Sequence, residues 1–160
     1  MNPSYDEILK AESMRGKEIR KTALVHSPTF SQLIGSEVYL KQEYQQKTGA
    51  FKIRGAYYKI KTLTDEEKKN GVVAASAGNH AQGVAFAAST ENIPCTIVMP
   101  KNASPAKVAA TKGYGANVIL EGKNYDESSA KAKEIAHKTG ATIIHAFDDQ
   151  IGRASCRERV

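Results

Sequence analysis

Residues 72–99, VVAASAGNHAQGVAFAASTENIPCTIVM, decide the fold. Apolar runs at 72–75 and 95–100 flank a segment, 81–92, in which apolar residues recur at helical spacing. A strand, a helix and a second strand in this order predict a β-α-β unit with parallel strands in one sheet. Because both runs are apolar throughout, we expect helices to cover both faces of that sheet.

The same alternation of strands and helices extends to both sides of this unit. The further predicted elements are strands at 117–120 and 142–145 and helices at 51–63, 64–70, 125–138 and from Ser104 to Gly113 or Gly115. The chain is therefore predicted to be an α/β protein with a three-layer open parallel sheet.

The first 47 residues are less regular than the rest. A capped helix is predicted from Ser4 to near Gly16, and the segment 22–35, which contains a proline, is predicted as a loop. Residues 37–44 alternate well enough to be predicted as a strand.

Composition excludes several classes of protein. The 160 residues are 41% hydrophobic and 25% charged, as is usual for a globular domain. No apolar stretch reaches the roughly 18 residues of a membrane helix, and the charged start is unlike a secretory signal. Two cysteines favour a reducing, cytoplasmic location. The histidines lack metal-ligand spacing, and the net charge of +6 comes without a basic run interleaved with aromatics, so neither a metal nor nucleic acid is expected.

The last residues depart from the pattern. The sequence IGRASCRERV at 151–160 has no apolar period and no helix cap. It matches one reading frame of a common sequencing-library adapter. We interpret 150–160 as a non-native tail and the chain as an N-terminal fragment; a natural basic C-terminus is the alternative.

Two loops at predicted helix starts carry the candidate chemistry, because ligands of open α/β sheets bind beyond the carboxyl ends of the strands. Residues 76–80, SAGNH, combine small side chains with a helix N-terminus, which suits an anion; a simple capped turn is the alternative. Residues 48–56, TGAFKIRGA, place Lys52 beside Phe51 at a helix start, where an amine could form a Schiff base. An ordinary solvated lysine is the alternative there.

Several segments in order carry a family resemblance over about 19–149. They are TALVHSPTFS, YLKQEYQQKTGAFKIRGA, GVVAASAGNHAQGVA, VMPKNASPAKVAATKGYGANVIL and HAFDD. Together they resemble the threonine/serine dehydratases of the fold-type II pyridoxal-phosphate enzymes. The resemblance implies a tryptophan synthase β-like fold, truncated here. Residues 1–47 would belong to the large cofactor domain and 48–149 to the small α/β domain.

The resemblance also implies a reaction and site residues. Water would be removed from L-threonine or L-serine to give a 2-oxoacid and ammonia, in a homodimer or homotetramer. Lys52 would carry pyridoxal 5'-phosphate and move the α-proton of the substrate. Phe51 would pack near the cofactor ring, and Asn79 would bind its phenolic oxygen. The substrate carboxylate would be held by Ser76, Gly78, Asn79 and His80.

Departures from the family pattern keep other functions open. Ala50 stands where many members have serine, which we expect to be tolerated. Ala77 gives no counterpart to the second serine of serine racemases, which favours a dehydratase over a racemase or another sibling. A non-catalytic module that binds a small anion through 76–80 is a third hypothesis. Since the glycine-rich phosphate cup of the family would lie beyond this stretch, we expect these 160 residues alone to hold the cofactor poorly and to be inactive.

Overall fold

The computed structural model describes residues 4–146 and residue 152. Its elements in chain order are α1 (Tyr5–Ser13), β1 (Leu24–His26), α2 (Pro28–Ile34), β2 (Tyr39–Lys41), a 3-10 helix (Glu43–Gln45), α3 (Lys52–Lys61), α4 (Asp65–Asn70), β3 (Val72–Ala75), α5 (Asn79–Thr90), β4 (Cys95–Met99), α6 (Pro105–Gly113), β5 (Asn117–Leu120), α7 (Tyr125–Thr139) and β6 (Thr142–Ile143). Apart from Gly152, the tail predicted at 150–160 lies outside the described residues and stays a prediction. The boundary predicted between 47 and 48 also stays a prediction.

Four strands form the predicted parallel sheet, in the order β5-β4-β3-β6. Val72 at the start of β3 pairs with Cys95 of β4 on one side and with Thr142 of β6 on the other. β5 continues the sheet beyond β4, with Asn117 opposite Thr96. All three pairings are parallel, so the predicted α/β sheet is confirmed.

The sheet is the middle one of three layers. Val72 and Ala74 of β3 point into a core shared with α3 and α5. Val73 and Val98 point to the opposite side, where they pack against Ala132 of α7. Because successive strand residues face opposite sides, an apolar run without alternation is what a sheet covered on both faces requires. The three-layer prediction is therefore confirmed.

Helices α3 and α5 pack against each other unusually closely at Gly83. A Cβ added there would lie 3.1 Å from the Ile53 nitrogen, 3.2 Å from its Cα and 3.2 Å from the carbonyl carbon of Lys52. These neighbours are backbone atoms, which cannot swing aside as a side chain can. The lack of a side chain at Gly83 therefore sets how near α5 comes to the first turn of α3.

The predicted loop at 22–35 was wrong, because the segment contains β1 and α2. The Ser27 hydroxyl accepts a hydrogen bond from the Phe30 nitrogen, Pro28 opens the helix, and Gly35 ends it at a φ of 73°. These are ordinary start and stop signals for a short helix.

The strand predicted at 37–44 is shorter in the structure. β2 covers three residues, which pair antiparallel with β1, and the 3-10 helix follows at once. The last strand likewise ends at Ile143 rather than at residue 145. Among the described residues, no helix combines the length and the apolar character needed to cross a membrane.

Replacing Gly83 by alanine should destabilise the chain by about 1–2 kcal/mol, because the new methyl group meets fixed backbone. Gly113→Ala is the matched control. Gly113 is the last residue of α6, and nothing lies within 4 Å of an added Cβ there. It should be neutral or slightly stabilising. Urea unfolding followed by circular dichroism measures both; equal midpoints for the two variants would contradict the packing argument.

Candidate active site

The turn from Ser76 to His80 follows the carboxyl end of β3. The Ser76 nitrogen donates to the Val98 carbonyl at 3.1 Å, and the Gly78 nitrogen donates to the Ser76 hydroxyl at 3.2 Å. Gly78 is the N-cap of α5, and no side chain caps this helix. Asn79 is the first helical residue, so it is not the N-cap that the capped-turn alternative assumed. The uncapped N–H groups at the start of a 12-residue helix favour an anion.

Lys52 is the first residue of α3 and is half-buried. Its Nζ donates to the carbonyl oxygen of Ala146 at 2.8 Å and lies 5.4 Å from the centre of the Phe51 ring. The predicted neighbourhood of lysine and phenylalanine is thus present. Within the described residues, Lys52 forms no ion pair.

His80 is buried, and its ring hydrogen-bonds to the segment that Lys52 also contacts, just after β6. Its Nε2 lies 2.9 Å from the Ile144 carbonyl oxygen. A carbonyl only accepts, so Nε2 carries the proton. Burial is the main reason that the pKa of His80 is lowered to about 4; the hydrogen bond to the carbonyl opposes this shift, and the charge of Lys52 adds to it. The imidazole is therefore neutral at pH 7.

The segment that follows β6 brings the two candidate loops together. Lys52 and His80 hydrogen-bond to carbonyl groups two residues apart, at Ala146 and Ile144. Asn79 is exposed, whereas Ser76 and Gly78 are half-buried. All six predicted site residues thus lie on the first turns of α3 and α5 or directly before them, beside the carboxyl end of the sheet.

Sequence reasoning missed Lys107 of α6. Its Nζ lies 3.7 Å from the place that a Cβ on Gly78 would occupy, so a positive charge sits over the turn that precedes α5. The order of strands and helices could have pointed to Lys107. Lys107 is in the first turn of the helix that follows β4, and the loop after β4 opens at the same edge of a parallel sheet as the loop after β3.

Sequence reasoning also missed the buried polar groups near Lys52 in the chain. Arg54 is only 2% exposed although it is two residues from Lys52, and it pairs with Glu43. Thr48 is buried as well, and its hydroxyl has no partner among the described residues. No group of three histidine, cysteine, aspartate or glutamate side chains in the described part of the chain could hold a metal ion.

Comparison with known proteins gives consistent matches. The family model described as "Pyridoxal-phosphate dependent enzyme" matches residues 16–158, which reaches into the predicted tail. An L-threonine ammonia-lyase of Thermotoga maritima is 52% identical over 146 residues, which are 91% of this chain and 36% of that protein.

Solved structures match over nearly the whole chain. A maize serine racemase matches with a TM-score of 0.91 and 34% identity, over 97% of this chain and 47% of its own. Threonine deaminase isoform 2 from Solanum lycopersicum matches with a TM-score of 0.85 and 34% identity, over 96% of this chain and 46% of its own. The chain therefore spans less than half the length of each of these relatives.

Acid should weaken the chain through His80. The folded pKa is about 4 against an ordinary value of 6.5, so between these values the unfolded chain binds more protons than the folded one. This histidine contributes stability that is complete above pH 6.5 and is lost as the pH falls to 4, about 3 kcal/mol in all.

The His80→Gln variant isolates this contribution, because its amide can donate to the same carbonyl but does not titrate. The free energy of unfolding, measured by urea titration at several pH values, should fall less steeply between pH 6.5 and 4 in the variant. An unchanged slope would show that His80 is not the group responsible.

Proposed function

The chain belongs to the family of pyridoxal-phosphate dependent enzymes, and from this membership we propose that the protein removes water from L-threonine, and from L-serine, to give 2-oxobutanoate or pyruvate and ammonia. The observation that carries the proposal is the meeting of the Lys52 amine and the Ser76–His80 turn at the segment after β6. The identity to the L-threonine ammonia-lyase of Thermotoga maritima supports the choice of substrate.

The residues present fit pyridoxal phosphate. Lys52 supplies the primary amine that forms a Schiff base with an aldehyde, and its Nζ is positioned by the Ala146 carbonyl. The Phe51 ring lies beside it, and the buried Thr48 hydroxyl has no protein partner among the described residues. When bound, the cofactor supplies an electron sink for the substrate carbanion.

The chain's own residues bind the substrate carboxylate, position the turn and transfer the proton. Ser76, Gly78, Asn79 and His80 bind the substrate carboxylate at the start of α5, where N–H groups and the helix dipole stabilise negative charge. Lys107 adds a charge over the same turn. The neutral His80 ring fixes the turn against β6 and adds no charge of its own. The Lys52 Nζ takes the α-proton.

A racemase is the second candidate function, and the maize serine racemase structure is the observation that favours it. The same Lys52 could remove the α-proton in both reactions. Return of a proton to the opposite face requires a second acid–base group, and the methyl group of Ala77 cannot serve as one. We therefore rank dehydration first. A homodimer or homotetramer and a cytoplasmic location remain predictions from the family resemblance.

Lys52→Ala should abolish the reaction. The test uses the full-length protein, meaning the complete native reading frame that contains this chain. The visible absorption of the bound cofactor should disappear, and 2-oxobutanoate formation from L-threonine should fall by about 10³-fold or more. Lys52→Arg is the matched control, because it keeps a positive charge but cannot form the covalent bond.

Three outcomes would contradict this proposal in different ways. A visible band that persists in Lys52→Ala would place the cofactor on another lysine. D-serine formation in excess of pyruvate from L-serine would favour the racemase. Absence of any lysine-bound chromophore in the unchanged full-length protein would favour the anion-binding module.

Lys107→Ala should weaken substrate binding. Loss of one charge-assisted contact to the carboxylate is expected to raise KM about tenfold. The effect on kcat should be small, because the α-proton is moved by Lys52 and not by Lys107. Lys112→Ala, in the last turn of the same helix, removes an equal charge away from the site and should leave KM unchanged. Equal KM values for the two variants would remove Lys107 from the site.

A further inference from the structure

A buried ion pair includes Arg54, which follows the candidate lysine by two residues in α3. Arg54 donates from Nε to Glu43 Oε2 and from Nη2 to Oε1, both at 2.9 Å. The Thr22 hydroxyl donates to the same carboxylate at 2.6 Å. The guanidinium and the carboxylate thus meet in a two-point geometry, which fixes orientation as well as distance.

The pair joins three segments of the chain that are distant in sequence. Arg54 Nη2 also donates to the Arg20 carbonyl at 3.3 Å, and Gln46 Nε2 donates to that carbonyl at 2.8 Å. The Arg20 nitrogen donates back to Gln46 Oε1 at 3.1 Å. The stretch near Arg20, the 3-10 helix and α3 are therefore held together by side chains.

Lys52 lies inside the loop that this pair closes. Glu43 and Arg54 are the ends of a twelve-residue stretch, and Lys52 is two residues before its end. Within the loop, the Gly49 nitrogen donates to the Gln46 carbonyl at 2.8 Å. The carbonyl carbon of Lys52 lies 3.2 Å from the place that a Cβ on Gly83 of α5 would occupy. The position of Lys52 is thus restricted both by the close packing of α3 against α5 and by the ion pair.

Glu43 keeps its charge in this position. Burial alone would raise the pKa of this carboxyl group, but hydrogen bonds from Arg54 and Thr22 outweigh it, and the pKa is lowered. The buried Arg54 guanidinium therefore faces a charged carboxylate.

Stability by itself does not account for such a pair. The cost of burying two charges offsets much of their attraction, and apolar side chains of similar volume often serve a fold equally well. The two-point geometry instead restricts the backbone between Glu43 and Arg54 to one arrangement. We infer that Glu43 and Arg54 are positioning residues, which hold the first turn of α3 so that the Lys52 amine meets the cofactor aldehyde. This inference rests on the proposed function.

The test replaces the pair by apolar residues of similar size, Glu43→Leu with Arg54→Met, in the full-length protein. The readout is the rate at which the cofactor-free protein takes up pyridoxal phosphate. Lys52 joins the aldehyde carbon with loss of water, and borohydride then reduces the C=N bond to a stable secondary amine. Peptide mass spectrometry locates and counts this amine, and thermal unfolding reports the fold.

The double variant should keep its unfolding midpoint within a few degrees of the unchanged protein. Uptake at Lys52 should be at least about tenfold slower, since small misplacements of a reacting group are costly. The matched control is Lys61→Met with Glu91→Leu, which removes a half-exposed ion pair, 2.8 Å apart, between the last residue of α3 and the C-cap of α5. Its uptake should stay within about twofold of the unchanged protein, because that pair does not close the loop around Lys52.

The outcomes separate this inference from the proposed function. No label at Lys52 in the unchanged protein would overturn the proposed function. Normal uptake by a folded double variant would overturn the positioning role alone. If the double variant does not fold, the uptake rate of the Arg54→Lys variant tests the positioning role instead. It keeps the charge but loses the two-point contact. Slower uptake by the folded Arg54→Lys protein supports the inference, and uptake at the unchanged rate overturns it.

Discussion

The close approach of α5 to the first turn of α3 is the contact on which the rest of the site depends. With no side chain at Gly83, the α5 backbone comes within contact distance of Lys52 and Ile53. The start of α5 follows β3, whereas α3 precedes it in the chain. Their packing therefore converts two separate loops into one site at the carboxyl edge of the sheet. A wider spacing would leave the amine and the anion-binding turn apart.

The charges at the carboxyl edge of the sheet favour an anionic ligand. The described residues contain no cluster of side chains that could hold a metal ion. Lys107 carries positive charge beside Gly78, and the uncapped start of α5 adds its dipole. His80 stays neutral because burial lowers its pKa to about 4. Its single ring proton then makes a structural hydrogen bond, which ties the turn to the segment after β6. The two functions of this region, holding an anion and presenting an amine, thus use different groups.

Two kinds of ion pair occur on the helix that carries Lys52. The pair between Lys61 and Glu91 is half-exposed at the end of α3 and contributes little that solvent could not replace. The pair between Glu43 and Arg54 is buried at its start and shares its carboxylate with Thr22. The buried pair has few alternative geometries, since each of its polar atoms needs a partner in place. The buried pair therefore connects the irregular N-terminal part of the chain, which includes Thr22 and Glu43, to the helix that carries Lys52.

Most of the α/β pattern could be predicted from the sequence, because the strands are short apolar runs and most of the helices after residue 51 carry an apolar period, a start signal or a stop signal. The two candidate loops could be located for the same reason: both precede helices at predictable places. The N-terminal segment was harder to predict, since the start signal at Ser27 and Pro28 stands among short exposed elements whose apolar side chains follow no single face.

By itself the sequence determined the layer order, the parallel sheet and the six candidate site residues, all of which depend on local spacing or on family resemblance. Only the tertiary structure decided that Lys52 and His80 reach carbonyl groups of one segment and that Lys107 overhangs Gly78. It alone also revealed the pairing of Arg54 with Glu43. Each of these contacts joins groups on different elements, and a side-chain contact between elements depends on how the elements pack, which no local pattern encodes.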